Sequence, residues 1–258
     1  MKKGLRIAIA AGAAVLLALV IFLMLKMNGA KRSQLTCGGV KVEFADDFNF
    51  LDARDIENCL KDEYGSYVGQ LLDSVDLSKV EGILDGKSPI LKAEAYTTPD
   101  GLLNVRIYQR KPVVRFQKGT GGFYADSEGF LFPLQENFTS SVPVIDGDIP
   151  LSFESGYRGE PKTEKEKEWL AGTIELVNFI KDSKTWSEII SQISVTKGGD
   201  FVMVPRQGKE KFIFGPPVDI AGKFDRLGKY YTNIVPAKGE GHYSTVNVKF
   251  AGQIVCRK

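Results

Sequence analysis

Apolar and polar residues follow two different periods in the chain between residues 33 and 112. Strict alternation predicts three strands, at Val40–Phe44, Ile90–Tyr96 and Leu103–Tyr108. Between the first strand and the other two, apolar residues recur every three or four positions, which predicts two helices. Asp52 or Asp55 is suited to cap the first helix, and Asp76 the second. The order strand, helix, helix, strand, strand is typical of a small α+β unit.

The pattern changes after Pro112, where short apolar runs alternate with turn residues. Two longer segments have helical spacing, Glu164–Ile180 and Asp219–Ile234. Strands are predicted at Gly122–Asp126, Phe130–Phe132, Ile189–Thr196, Phe201–Val204, Lys211–Phe214 and Thr245–Cys256. Because proline cannot donate to a strand ladder, Pro112 is expected to close the first unit. The prediction is an α+β protein with one domain over 33–112 and a β-rich domain with flanking helices over 113–258.

One apolar stretch near the N-terminus shows neither the alternation of a strand nor the three- to four-residue spacing of an amphipathic helix. Ile7–Leu25 comprises 19 consecutive residues without a charged or strongly polar side chain. As a helix it is about 28 Å long, close to the ~30 Å hydrocarbon core of a bilayer. A cleaved signal peptide has a shorter apolar region followed by small residues, whereas Lys26, Met27 and Asn28 follow this one. The pattern predicts a single transmembrane helix at 7–25 within an N-terminal segment of residues 1–32.

The formal net charge of +2 is unevenly distributed. Residues 1–32 contain six of the 34 basic residues and no acid, which leaves 28 bases against 32 acids, a net charge of −4, in the rest of the chain. Nucleic acid is bound by clustered positive charge, so this mildly acidic body is a poor surface for it. Almost the same number of positive charges lies before and after the apolar stretch, so the charge distribution does not determine the orientation of this stretch in the membrane. A short cytoplasmic tail followed by a large exported part is the simpler arrangement.

The sequence contains no recognisable catalytic or metal-binding motif. His242 is the single histidine and has no motif partner, and Cys37, Cys59 and Cys256 lack metal-ligand spacing. One disulfide between two of these cysteines stays open as an alternative to free thiols. The run Ser194–Lys197 matches the Ser-x-x-Lys of penicillin-binding enzymes, but its companion motifs are missing and it falls on a predicted strand. We therefore expect a protein that is not an enzyme and has no cofactor, metal site or small-molecule substrate.

Four short segments occur in an order that resembles a known family. They are Pro89–Ala95, Leu103–Pro112, Tyr124–Phe132 and Val142–Gly147. In this order, behind one N-terminal apolar helix, they resemble the FtsQ/DivIB family of bacterial cell-division proteins, although Gln109 replaces the commoner glutamate. The resemblance implies that residues 33–112 form a POTRA domain. It also implies a non-enzymatic scaffold in the cell inner membrane, with its C-terminal domain in the periplasm, that binds FtsB and FtsL and helps control septal peptidoglycan synthesis. The alternative is an anchored cell-wall enzyme whose active site is not recognised.

The predicted last strand is the candidate site for these partners. Its apolar residues share one parity from Val246 to Cys256 and are expected to face the core. A strand at a sheet edge offers unpaired backbone groups to a partner strand, whereas an internal strand has no such role. The resemblance implies that FtsB adds to the terminal strands, which favours the edge. The predicted partner-binding residues are Val246, Val248, Lys249, Phe250, Gly252, Gln253, Ile254 and Val255.

Overall fold

The computed structural model describes residues 15–22, 24, 35–47, 50–119, 121–135, 139–154 and 156–258. The chain divides into two compact units, Met1–Gln109 and Arg110–Lys258. The division lies three residues before the expected boundary at Pro112. The reason is that Pro112 pairs with Asp126 and is the first residue of a strand in the second unit. Proline is tolerated there because the first position of a strand does not require its N–H.

The expected membrane helix lies largely outside the described residues. Residues 15–22 and 24 are helical and apolar, and the large side chains among them are 40–68% exposed. Within the described part of the chain, no helix reaches the length and apolarity that crossing a bilayer requires. The transmembrane helix at 7–25 therefore stays a prediction.

The first unit has the predicted order of strand, helix, helix, strand, strand. Its elements are β1 (Gly39–Phe44), α1 (Ala53–Glu63), a 3₁₀ turn (Leu72–Ser74), α2 (Leu77–Asp85), β2 (Ile90–Thr97) and β3 (Leu102–Gln109). Among its described residues the strands form a sheet in the order β1-β3-β2, with β1 parallel and β2 antiparallel to β3. The helices bury Ile56, Leu60, Val80 and Leu84 in the core of this unit.

Local side-chain hydrogen bonds start both helices of the first unit. Asp52 accepts from the backbone N–H of Asp55, and the Asp55 carboxylate accepts from the N–H of Asp52 in return. Asp76 accepts from the N–H of Lys79 and so caps α2. These bonds satisfy backbone donors that a helix start otherwise leaves unpaired. The sequence offered Asp52 and Asp55 as alternatives, and the two form one capping box.

The second unit is built around one large mixed sheet. Its strands are β4 (Pro112–Lys118), β5 (Gly121–Asp126), β6 (Leu131–Pro133), β7 (Val144–Gly147), β8 (Ile190–Val195), β9 (Phe201–Pro205), β10 (Lys211–Gly215), β11 (Thr245–Asn247) and β12 (Val255–Arg257). Its helices are α3 (Glu164–Asp182), α4 (Lys184–Ile189), α5 (Ile220–Lys229), a π-helix (Tyr230–Ile234) and α6 (Val235–Lys238). In the described residues the sheet order is β12-β11-β10-β9-β8-β7-β4-β5-β6.

The helices of the second unit pack aromatic and aliphatic side chains onto this sheet. In α3 the buried residues include Leu170, Leu176 and Ile180, and Thr173 donates to the carbonyl of Trp169. The Trp169 ring stacks on Phe201 of β9 at 5.3 Å between ring centroids. The predicted apolar face of this helix is therefore a core face.

Two predictions for the C-terminal half are wrong in detail. The helix predicted through Ile234 changes to π geometry at Tyr230, after α5. Thr245–Cys256 is not one strand, because it forms β11 and β12 as an antiparallel hairpin. Gly252 has φ +71°, in the left-handed region that glycine enters without strain, and the chain turns there. Apolar parity continues across this turn, which is why alternation alone predicted an uninterrupted strand.

Candidate partner-binding edge

The eight predicted partner-binding residues all lie in the C-terminal hairpin. Val246 is in β11, Val255 is in β12, and the other six are in the connection between the two strands. Val246 and Val248 are fully buried, as the parity predicted. The prediction that Phe250 faces the core is wrong, since it is 49% exposed beyond the end of β11. Gly252 and Gln253 are also exposed.

The backbone of β12 is hydrogen-bonded on one side and open on the other. Lys211 donates to the carbonyl of Ser244, and Val248 donates to the carbonyl of Ile213. Val246, which lies between these two bonds, therefore directs its backbone groups toward β10, and the neighbouring Thr245 and Asn247 direct theirs toward β12.

The pairing partners of these odd-numbered residues in β12 are Arg257 and Val255. Their backbone groups are therefore occupied by β11. Because backbone groups of successive strand residues point to opposite sides, the N–H and C=O of Cys256 face away from the sheet. No other described strand lies on that side of β12, which is the terminal strand in the sheet order.

The side chains beside this edge leave the core incompletely covered. Ile254 and Cys256 are half-buried and pack against the main core of the second unit. Ile234 and Tyr243 are likewise partly buried against the same core. A strand placed next to β12 would cover more of this apolar surface, which is a favourable change.

The turn of the hairpin is held by three polar contacts. Arg226 in α5 donates through Nε and Nη2 to the carbonyl of Val248, at 3.2 Å each. Lys249 Nζ forms an ion pair with Asp200 Oδ2 at 2.5 Å, and its backbone N–H donates to Asn247 Oδ1 at 2.9 Å. Lys249, which the sequence predicted as a partner-binding residue, thus also anchors the hairpin to the sheet.

The end of the family-like segment Leu103–Pro112 makes one structural contact in each unit, through Gln109 in the first and Arg110 in the second. In the first unit, Gln109 is buried, and its backbone N–H and Nε2 donate to the two oxygens of Asp46, at 2.9 Å each. A glutamate at this position would place a second carboxylate beside Asp46, which costs free energy when both are ionised. The replacement of the commoner glutamate by glutamine thus fits a site where the side chain must donate.

In the second unit, Arg110 and the turn that follows β5 form one buried cluster. Arg110 Nη1 donates to Asp126 Oδ2 at 2.8 Å, and its guanidinium lies 3.5 Å from the centroid of the Phe130 ring. Asp126 Oδ1 accepts from the N–H groups of Glu128 and Phe130, at 3.0 and 2.9 Å. Gly129, with φ +82°, completes the turn. Two motifs that are separate in sequence therefore meet to stabilise this turn.

The candidate catalytic and metal-binding residues are scattered. Within the described ranges there is no group of three or more His, Cys, Asp or Glu side chains that could hold a metal ion. His242 packs edge-on against Tyr243 in the loop before β11, and Ser194 lies in β8, as predicted. The three cysteines are free thiols, and burial raises the pKa of Cys59 and Cys256.

The sequence prediction omitted Cys256 and Arg257, which form the edge strand together with Val255. It placed Gly252 inside a single strand, Thr245–Cys256. The signal for a hairpin is Gly252 next to the polar Gln253, with a short run of strand-forming residues on each side. Alternation obscured this signal because the loop preserves the parity of the two strands.

Fold and edge together define a two-unit α+β protein with an open strand suited to binding a polypeptide. A family model for a POTRA-like domain matches residues 35–108, and one described as FtsQ/DivIB, C-terminal related, matches residues 111–257. The second match covers more than half of the chain, so the chain belongs to the FtsQ/DivIB family, which confirms the resemblance. Proteins of this family are non-enzymatic, membrane-anchored components of the bacterial division machinery. A comparison with curated proteins found no match.

Proposed function

We propose that this protein is a membrane-anchored scaffold of the division machinery that binds FtsB- and FtsL-type proteins by strand addition and helps control septal peptidoglycan synthesis. The observation that carries the proposal is the outward-facing N–H and C=O of Cys256 in the terminal strand of the sheet. Edge groups of this kind accept a partner strand through main-chain hydrogen bonds, and pockets for alternate side chains give the selectivity.

The apolar surface beside β12 supports the same function. Ile254 and Cys256 are half-buried at the margin of the core, and Val255 is half-buried as well. A partner strand with apolar residues at every second position would extend the core on this side of the sheet. The exposed Gly252 and Gln253 lie at the turn and are placed to contact a partner that continues past β12.

Proline at Cys256 is the sharpest test of strand addition. It removes an outward N–H and leaves the bonds between β12 and β11 unaffected. Cys256→Ala is the matched control, because it shortens the same side chain and retains the N–H. Co-purification of the full-length chain with its FtsB- and FtsL-type proteins is expected to fall about tenfold for Cys256→Pro and to be unchanged for Cys256→Ala.

Val255→Pro provides the contrasting variant, because the N–H that it removes faces β11. It is expected to weaken the hairpin itself, whereas Cys256→Pro leaves the chain folded. A proline at Lys249 is a poorer probe, since that N–H donates to Asn247 within the turn. Normal partner recovery by folded Cys256→Pro would place the binding site elsewhere.

We also propose that residues 7–25 anchor the protein in the cell inner membrane, with both units in the periplasm. The uncharged run of 19 residues supports this anchor. A reporter that is active only in the periplasm, fused after Lys258, is expected to give signal. Signal from a reporter that works only in the cytoplasm would contradict this orientation.

A further inference from the structure

A cleft of about 560 Å³ lies at one end of the sheet in the second unit, beside the π-helix. It is bordered by the C-terminal end of α4, the connection between β9 and β10, and the loop after α6. Glu188, Glu210 and Glu240 contribute carboxylates to its lining, and Arg206 contributes a guanidinium. Among the described lining residues, negative charge is therefore in excess.

Glu210 is the buried member of this set. Its residue surface is 4% exposed, and the one hydrogen bond that the described residues give its carboxylate comes from the N–H of Lys209, at 3.0 Å. Among the described residues Arg206 forms no ion pair with it, and Arg206 Nε donates to the backbone carbonyl of Glu188 at 3.2 Å. A buried carboxylate is normally paired with a cation or with several donors, so Glu210 has unused capacity to accept hydrogen bonds.

The loop before β10 is shaped around this carboxylate. Gly208 has φ +109°, and a Cβ at that position would lie 2.5 Å from Glu210 Oε2. The absence of a side chain at Gly208 therefore leaves the space that the carboxylate occupies. Tyr231 also lines the cleft, and burial and then the charge of Glu210 raise the pKa of its hydroxyl.

We propose that this cleft binds an arginine side chain of a partner polypeptide. A planar guanidinium donates strong hydrogen bonds to a carboxylate, and Glu210 supplies a carboxylate in the lining of the cleft. The Tyr231 ring provides an aromatic surface for the cation, and Ile189 and Val235 provide apolar contacts for the aliphatic part of the side chain. Glu188 and Glu240 are exposed at the rim, where they attract a cation.

The position of the cleft connects it to the proposed edge, and this step rests on the proposed function. Glu210 directly precedes Lys211, which pairs with Thr245, and Thr245 pairs with Arg257 at the end of β12. A strand added to β12 is three strand spacings from β10, or about 14 Å. An extended chain covers that distance in about four residues. The arginine is therefore expected about four residues beyond the partner's added strand.

Binding of the cation is measured on the full-length chain in detergent, without any partner protein. The probe is N-acetyl-arginine amide, and its uncharged counterpart is N-acetyl-citrulline amide, each titrated by ligand-observed NMR. We expect the arginine probe to bind about tenfold more tightly than the citrulline probe, and Glu210→Gln to abolish that difference. Glu175→Gln, an exposed acid on α3 away from the cleft, is the matched control and is expected to change nothing.

A second variant tests the proposal if Glu210→Gln does not fold. Glu240→Gln at the exposed rim is expected to weaken binding of the arginine probe by a smaller factor while the chain stays folded. Equal binding of the two probes, no binding of either, or the same affinity in native chain, Glu210→Gln and Glu240→Gln would each overturn the proposal. These outcomes are independent of strand addition, which Cys256→Pro tests separately.

Discussion

Replacing Asp126 with alanine is expected to destabilise the second unit strongly. The carboxylate pairs with Arg110 where the two side chains are only 7% and 12% exposed. It also accepts the N–H groups of Glu128 and Phe130, which close the turn after β5. Without it, a buried guanidinium and two backbone donors lose their acceptor together.

The loss of these partners determines the expected decrease in the free energy of unfolding. Removing one partner of a buried ion pair typically lowers the free energy of unfolding by about 3–5 kcal/mol. The contact of Arg110 with the Phe130 ring is made in the native chain and is expected to remain in the variant, so it does not reduce this loss. With a urea slope of about 2 kcal/mol per molar, the midpoint of unfolding is expected to fall by about 1.5–2.5 M.

Tryptophan fluorescence isolates the relevant unit, because the two tryptophans of the chain, Trp169 and Trp186, are both in it. The matched control is Asp225→Ala, which removes an exposed carboxylate paired with Lys229 at 2.7 Å and is expected to cost less than about 0.5 kcal/mol. Arg110→Met combined with Asp126→Ala is expected to be more stable than Asp126→Ala alone, since no uncompensated charge remains. Equal midpoints for Asp126→Ala and Asp225→Ala would refute the reasoning.

Three further predictions concern stability. Gly147→Ala is expected to lower the thermal midpoint more than Gly65→Ala, because both have φ near +95° but only at Gly147 would a Cβ meet a backbone oxygen, that of Val195, at 2.2 Å. Burial lowers the pKa of Lys223 to about 8, so between pH 8 and 10 the unfolded chain holds a proton that the folded chain has released. The free energy of unfolding should therefore rise with pH relative to Lys223→Met, by up to about 3 kcal/mol; a constant difference between the two urea curves would contradict this. Residues 35–109 are expected to fold alone, with a circular-dichroism spectrum of mixed helix and strand; the spectrum of an unfolded chain would show that they depend on the second unit.

Helices are predicted well from the sequence where the spacing of apolar residues and a capping residue indicate the same start. In α2, Asp76 caps the helix, and Val80 and Leu84 fall on the buried face. β4 was missed although Val114 and Phe116 alternate with polar residues and are fully buried. Pro112 is the first residue of β4. In the sequence a proline is equally compatible with the end of one strand and with the start of the next, and only its pairing with β5 shows that it starts β4.

The geometry of the candidate site depends more on contacts between residues that are far apart in sequence. Lys249 pairs with Asp200, and the carbonyl of Val248 accepts from Arg226. No local pattern specifies these contacts, yet they hold the turn that separates β11 from β12. The cleft at Glu210 likewise brings α4, the β9–β10 connection and the π-helix together. Its residues carry no common motif, so sequence reasoning had no signal that joined them.

At the C-terminal edge, β12 has one side without a paired strand, and the hairpin that carries it is held in place by contacts with the rest of the unit. Arg226 and Asp200 hold the turn, and β11 is paired on both sides, so β12 is ordered before any partner arrives. Binding to an ordered edge restricts only the incoming segment, whereas a disordered edge would lose conformational freedom as well. Substitutions at Arg226 or Asp200 therefore act on affinity through the conformation of the hairpin, and proline at Cys256 acts through a hydrogen bond to the partner. Only the second kind of change weakens binding while leaving the free chain as stable as before.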